Sequence, residues 1–329
     1  MPTKKFNWGI IGLGKIAHKF ASDLQTIPDA KLHAVASSDA LRAKDFAAKY
    51  DATFAFGSYQ ALMDCPDLDA IYIATPHSAH CEMTLLCLQH KIPVLCEKPF
   101  AMNFLQVEKM IAMSRENNTF LMEALWTRFL PTTDLLLSLI EKNSIGKILS
   151  VHADFGFYLK FDAKSRLYNK DLGGGSLLDV GIYPIYLSLL LLGKPTKIQA
   201  KAAFGKSDVD ESCAMIFDYA DAQQMAVLKS SIREKTPTEA YIYGEKGKIR
   251  LHGRFHEPNI GITLEIYGEE PIFYPFEWDC IGYAYEAKEV MRCVRAGEKE
   301  SKTMSHAFSL DLILTLDEVR KVANIEYYL

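Results

Sequence analysis

Two stretches of the sequence place reactive groups where an apolar run stops. Val94-Leu-Cys-Glu97-Lys98-Pro99 puts two charges directly after apolar residues. A lysine beside an oxidised nicotinamide and a polar substrate is a candidate acid/base or electrostatic group. Pro99 would constrain the backbone that aims it. The plainer alternative is a surface Glu97–Lys98 pair. Gly12-Leu-Gly14-Lys15-Ile16-Ala17 follows the apolar run Phe6–Ile11 with the G-x-G-x-x-A spacing of a dinucleotide turn. Gly12 permits the tight turn, Gly14 lets backbone approach a pyrophosphate, and Ala17 lets helix and strand pack closely. The opening helix, Lys15 and Ile16 included, turns free N–H groups toward the phosphates. A Gly-rich turn without a ligand is the bland alternative.

The end of the second apolar run bears on the choice of nucleotide. It reads Ala36-Ser37-Ser38-Asp39-Ala40-Leu41-Arg42. Ser37 and Ser38 are small and neutral where an acidic side chain would bind a ribose hydroxyl, and Arg42 stands one turn on, where it could pair with a 2′-phosphate. Asp39 comes late and could instead cap the next helix. NADP(H) is favoured, with NAD(H) the alternative. Thr75-Pro76-His77-Ser78-Ala79-His80 follows the apolar Ala70–Ala74. Ligands on open α/β sheets bind outside the carboxyl ends of strands, so Thr75, Pro76, His77, His80 and Glu97 should line the cofactor crevice. Ser78 reads as a helix cap. The His77/His80 pair lacks a third ligand nearby, so no metal is expected.

Elements of matching type must position these groups. Over residues 6–123, strand-like runs alternate with helical spacing, which implies βαβ units and a parallel sheet buried on both faces. After about residue 124 the rhythm changes. Helices at 132–141 and 176–192 flank a strand near 148–157. Strand-like runs then follow one another from 196 to 274, before helices at 284–295 and 306–323. The fold class expected is α/β: an N-terminal Rossmann doubly wound parallel sheet, residues 1–123, binding NAD(P). A C-terminal α+β domain with a large, mostly antiparallel open sheet, residues 124–329, would bind substrate and dimerise.

The chain has 329 residues and a formal net charge of −4, with 49% hydrophobic and 24% charged residues. That composition argues against disorder and against a dedicated nucleic-acid binder, which needs a basic stripe. Seven scattered cysteines without C-x-x-C read as reduced thiols in a cytoplasmic setting rather than a disulfide framework or zinc site. The start of the chain enters a strand pattern without an apolar signal region. The longest apolar run, Ile185–Leu192, is eight residues, far short of the ~20 that span a bilayer; it reads as a buried helix.

Gly9-Ile-Ile-Gly-Leu-Gly14, Ala74-Thr-Pro-His77, Glu97-Lys-Pro99 and Gly173-Gly-Gly-Ser-Leu-Leu-Asp-Val-Gly-Ile-Tyr183 resemble, in order along the chain, the glucose–fructose oxidoreductase/inositol dehydrogenase (Gfo/Idh/MocA) family. Leu121-Met-Glu-Ala-Leu-Trp-Thr-Arg-Phe129 is similar to the subgroup that oxidises trans-dihydrodiols of arenes and some aldopyranoses with NADP. The resemblance implies that Lys98 is catalytic and that Asp179 and Tyr183 match the family's D-x-x-x-H element, with Tyr where most members have His. The subgroup shares that Tyr and is thought to use it as acid/base. The resemblance also implies that Trp126 and Phe155 wall a substrate pocket, with Arg128 either a further substrate contact or a structural hub, and that a homodimer forms through the C-terminal sheet.

The chemistry is coherent on its own terms. Oxidising a secondary alcohol requires a group to take the hydroxyl proton as hydride leaves. A tyrosine of ordinary pKa ~10 is a poor base at neutral pH. A neighbouring cation such as Lys98 would favour the phenolate. Asp179 would orient the lysine or a substrate hydroxyl, and Gly173–Gly175 reads either as a flexible turn or as backbone approaching substrate closely. The expected partner is a small polyhydroxylated molecule, with neither nucleic acid nor membrane. Two rivals remain: a family enzyme that cycles a tightly held cofactor within one site, and a non-catalytic NAD(P)-sensing regulator.

Overall fold

The computed structural model describes residues 5–327. They form two compact units. The first holds six parallel strands, β1 (Phe6–Ile11), β2 (Ala30–Ala36), β3 (Phe54–Phe56), β4 (Ala70–Ile73), β5 (Val94–Glu97) and β6 (Leu121–Ala124), in the order β3-β2-β1-β4-β5-β6. Between them run α1 (Lys15–Leu24), α2 (Ala40–Tyr50), α3 (Tyr59–Leu62), α4 (His80–Gln89) and α5 (Phe104–Glu116). This is the doubly wound Rossmann order, whose reversal lies between β1 and β4. β4 is wholly buried, as a central parallel strand covered on both faces must be. Its Tyr72 stacks on Phe20 of α1, centroids 3.8 Å apart. β3 and α3, three and four residues long, are too short to show a period and were not anticipated.

The second unit is built on eight strands: β7 (Ile148–Gly156), β8 (Lys197–Phe204), β9 (Asp210–Tyr219), β10 (Gln224–Ser231), β11 (Ala240–Gly244), β12 (Gly247–Leu251), β13 (Gly261–Ile266) and β14 (Ile272–Pro275). Their order is β14-β13-β12-β11-β7-β10-β9-β8. All neighbours are antiparallel except β7 and β10, which pair in parallel. α6 (Pro131–Glu141) packs near β13, and α7 (Ile182–Leu192) lies on β7 and β10. By length and composition Lys170–Leu192 could cross a bilayer, but 78% of its apolar window is buried within the protein, so α7 is a core helix. The opposite face of the sheet carries Ile216, Val227, His152, Tyr241, Arg250, Thr263 and Phe273 in one register row. Ile216, Val227 and Phe273 are exposed.

The units do not divide at 123/124. The first runs through Arg128 and also takes in Cys280–Leu310, which the sequence pattern assigned to the second. The reason is a buried carboxylate. Asp23 of α1 accepts from Ile281 N, Gly282 N and Ala284 N at 2.8, 2.8 and 3.1 Å. It thus fastens the start of α8 (Tyr283–Arg295) to the Rossmann unit. Leu121 N donates to Lys299 O at 3.1 Å on the far side of α8. The last helix, α9 (His306–Ala323), contains the third chain crossing, after Leu310.

Candidate active site

The nucleotide turn is shaped by two glycines for different reasons. Gly12 has φ +85°, and a Cβ there would lie 2.7 Å from Ala74 and Thr75 backbone atoms. The β1–α1 turn therefore presses directly on the end of β4. Gly14 caps α1, and a Cβ on it would meet nothing within 4 Å. No side chain caps α1 and no acidic residue occupies its first turn. Its leading N–H groups and positive dipole end face that open space. Lys15 is exposed, Ile16 half-buried and Ala17 buried against the sheet. The residues present fit a dinucleotide pyrophosphate.

At the end of β2, Ser37 is buried and its hydroxyl accepts from Asp39 N at 3.1 Å. Asp39 caps α2, accepting from Leu41 N and Arg42 N at 2.9 and 3.1 Å. Ser38 is exposed. The Arg42 guanidinium lies 3.9 Å from the Asp39 carboxylate and is 60% exposed. The cap alternative for Asp39 is the one found.

After β4, Thr75 and His77 are buried and Pro76 is exposed. Ser78 does not cap α4. A 3-10 turn over His77–Ala79 ties Ala79 N to Pro76 O, so α4 begins at His80 with Ala79 in the cap position and no side-chain cap. His80 is fully buried. Its Nδ1 lies 2.8 Å from Pro99 O and its Nε2 2.9 Å from Thr75 O, so each ring nitrogen lies against a backbone carbonyl.

The charges after β5 are likewise braced. Tyr72 donates to Glu97 Oε1, and Lys98 N donates to Glu97 Oε2 at 3.2 Å. Glu97 thus buttresses the loop from within, and Lys98 beside it is half-buried. Glu123 of β6 accepts from Phe100 N at 3.0 Å. Burial pushes its carboxyl up to about 7, against the pull of hydrogen bonds from Ser309 and Phe100 and of the Lys98 charge. Trp126 is buried and stacks on Tyr283, centroids 4.4 Å apart. Arg128 is half-buried, its N–H closing a turn on Leu125 O.

In the second unit the helix expected from Ser176 opens as a π turn over Leu177–Gly181 before α7 begins. Asp179 in that turn is paired with Arg166 at 2.7 Å, a partner not anticipated from sequence. Tyr183, 5% exposed, faces Phe155 at 5.6 Å and His256 at 4.8 Å between centroids. His256 itself stacks on Phe155 at 3.9 Å. The Arg254 guanidinium sits 5.9 Å from the Phe155 ring and is paired with Glu257. Arg254 and His256 were missed. Their signal was a loop dense in rings and charges, His252-Gly-Arg-Phe-His256-Glu, with nothing local to tie it to Tyr183.

Gly173–Gly175 is explained by packing of its own chain. A Cβ on Gly174 would lie 2.6, 2.7 and 2.8 Å from the carbonyl oxygens of Arg166, Leu167 and Asn169. Gly175 has φ +109° and abuts the buried Asp210. The Asp210 carboxylate accepts from Ser176 Oγ and Leu177 N at 2.8 and 2.7 Å, and burial pushes its pKa up to about 6. The run lets this loop close on itself and on Asp210; close approach of substrate is not needed to account for it.

Residues 6–125 match the profile of an oxidoreductase family, GFO/IDH/MocA with an NAD-binding Rossmann fold, and residues 135–250 match that family's C-terminal domain. The chain is 38% identical to the trans-1,2-dihydrobenzene-1,2-diol dehydrogenase of Danio rerio, with 97% of each covered. To the Homo sapiens enzyme of that name it is 34% identical, again over 97% of each. Among solved structures, a 3-ketoreductase from Actinomadura kijaniata in complex with NADP and TDP-benzene is similar at TM-score 0.88 and 26% identity, over 97% of this chain and 98% of that one. An aldose-aldose oxidoreductase from Caulobacter crescentus shares the fold at TM-score 0.89 and 22% identity, over 98% of each.

Proposed function

The chain belongs to the GFO/IDH/MocA family of NAD(P)-dependent oxidoreductases, and from that premise we propose that it is an NADP-dependent dehydrogenase/reductase acting on a secondary alcohol or carbonyl of a sugar or cyclic diol. The observation that carries this reading is the seat of Tyr183: a phenol almost fully buried among the rings of Phe155 and His256, with Asp179, one turn before it, held by Arg166. Flat rings beside a proton-transfer group suit a substrate with an apolar ring face and hydroxyl edges. The dihydrodiol dehydrogenase name carried by the relatives points the same way.

Bound NADP would supply the hydride acceptor or donor at its nicotinamide. Gly14 and the first turn of α1 would hold its pyrophosphate, and Arg42 its 2′-phosphate, with Asp39 already committed to capping α2. In the proposed mechanism Tyr183 takes the hydroxyl proton during oxidation and returns it during reduction. Lys98 supplies the positive charge that favours the phenolate. Trp126 and Phe155 are the proposed stacking surfaces, and Arg128 a further substrate contact. The proposed compartment is the cytoplasm, supported by seven free cysteines. The proposed oligomer is a homodimer through the open face of the eight-stranded sheet.

The test is a nicotinamide absorbance screen with NADP⁺ and NAD⁺ against aldopyranoses, inositols and trans-dihydrodiols. It is repeated with Tyr183→Phe and Lys98→Met. Each variant should lose ~10²–10⁴ in kcat while still binding nucleotide. Turnover near the parental rate in either would refute the assignment, and binding of NADPH without turnover across the whole panel would favour a sensor instead.

A further inference from the structure

Burial and hydrogen bonding give His80 a chemical state that nothing above uses. A carbonyl oxygen only accepts hydrogen bonds, whereas a neutral imidazole carries a single N–H. His80 presents Nδ1 to Pro99 O at 2.8 Å and Nε2 to Thr75 O at 2.9 Å, with no exposure to solvent. In a neutral ring, one of those contacts would set a lone pair against a lone pair inside the protein. The imidazolium, with a hydrogen on each nitrogen, satisfies both, and both bonds are then charge-assisted.

The two carbonyls belong to the two turns that matter most in this unit. Thr75 follows β4 and its backbone is part of the wall against Gly12. Pro99 follows Lys98. Further bonds on the Lys98 loop come from β5, β6 and α5, among them Lys98 N to Glu97 at 3.2 Å, Phe100 N to Glu123 at 3.0 Å, and Met102 N to Gln106 at 3.1 Å. His80 adds the tie from the opposite side, at the start of α4. The buried carboxyls of Glu97 and Glu123 accept from the backbone N–H groups on either side of Pro99, so acceptor oxygens flank the segment that the ring clasps. The neighbouring titratable ring is His77, edge-on at 5.7 Å.

We propose that His80 is a positioning residue, held as an imidazolium, that clamps the Lys98 loop to the end of β4 and so fixes the Lys98 ammonium relative to the Gly12–Ala17 turn. This rests on the reading of Lys98 as a catalytic group, and its test separates the two. The first measurement uses the parental protein, labelled with ¹⁵N-histidine, at neutral pH. Both ring nitrogens of His80, assigned through contacts to Thr75 and Pro99, should carry hydrogens. One bare nitrogen overturns the proposal.

The second measurement compares His80→Gln, which keeps one donor nitrogen, with His80→Leu, which keeps none. We expect kcat to fall about tenfold to a hundredfold, the scale set by a misplacement of about 1 Å, and to fall further in His80→Leu. The NADPH dissociation constant, read by nicotinamide fluorescence, should stay within about threefold, a split that general loss of structure would not produce. Parental kcat in His80→Gln alongside a disabled Lys98→Met overturns this inference alone. Parental kcat in Lys98→Met overturns the catalytic reading, and this inference with it. If the His80 variants fail to fold, the protonation measurement on the parent still decides.

Discussion

At the scale of single residues, the geometry turns an ambiguous strand end into a testable preference. Ser37 and Ser38 stand where an acidic residue would bind the ribose of NAD, and the carboxylate of Asp39, which comes later, is engaged by the first amides of α2. Arg42 lies on the exposed side of the same turn. Arg42→Ala should raise the KM for NADP⁺ about tenfold, the equivalent of one hydrogen bond to a charged group, ~1.5 kcal/mol, and leave that for NAD⁺ nearly unchanged. Equal changes for both nucleotides would show that Arg42 does not read the 2′-phosphate. Tyr183 and Asp179 illustrate the opposite situation. Their spacing was visible in the chain, whereas the partners that define their environment, His256 and Arg166, come from other segments.

Among elements, the β1–α1 turn separates folding from binding within three residues. Gly12 is required by a positive φ and by the backbone of Ala74 and Thr75. Gly12→Ala should therefore cost at least ~1–3 kcal/mol of stability, read as a lower midpoint in urea. Gly14→Ala meets open space. It should shift that midpoint far less yet weaken nucleotide binding about tenfold or more, because the added methyl would stand where a pyrophosphate approaches. A Gly14 variant that bound NADP normally would remove the phosphate site from this turn. Much of this element was legible beforehand, since a strand, two glycines and a helix start are all local. The His77–Ala79 turn was not, because its 3-10 bonds displace the cap that Ser78 would otherwise have formed.

For the whole molecule, buried carboxyls set a dependence on pH. Glu286 of α8 is fully buried, neither oxygen has a hydrogen-bond partner among the described residues, and burial, then the charges of Glu97 and Asp23, hold its pKa well above the ordinary range. Glu123 is pushed up to about 7. A carboxyl whose folded pKa is raised binds its proton more tightly in the folded state. The folded state is therefore favoured most at low pH, and stability declines as pH rises from the unfolded value of ~4.3 toward the folded one. Glu286→Gln should accordingly gain in melting temperature relative to the parent as pH goes from about 4.5 to about 8. A constant difference across that range would mean that Glu286 does not hold its proton. The open sheet face supplies a second test at this scale. Val227→Glu would set a charge in the middle of the register row that includes Ile216 and Tyr241. The variant should run as a monomer in light scattering at concentrations where the parent is a dimer; a parent that is itself monomeric would end the dimer proposal.

What the amino-acid order determined by itself was everything with a short period: strands of apolar residues, amphipathic helices, the glycine spacing of the nucleotide turn, and a charged pair after an apolar strand. These follow from interactions within a few residues, so their pattern is written locally. Only the tertiary structure decided that β7 and β10 pair in parallel, that Arg166 holds Asp179, that His256 covers Phe155, and that Asp23 captures the start of α8 from 258 residues away. Such partners are selected by proximity after the chain has folded. Burial then makes each choice costly to leave unmet, and no period along the sequence records it.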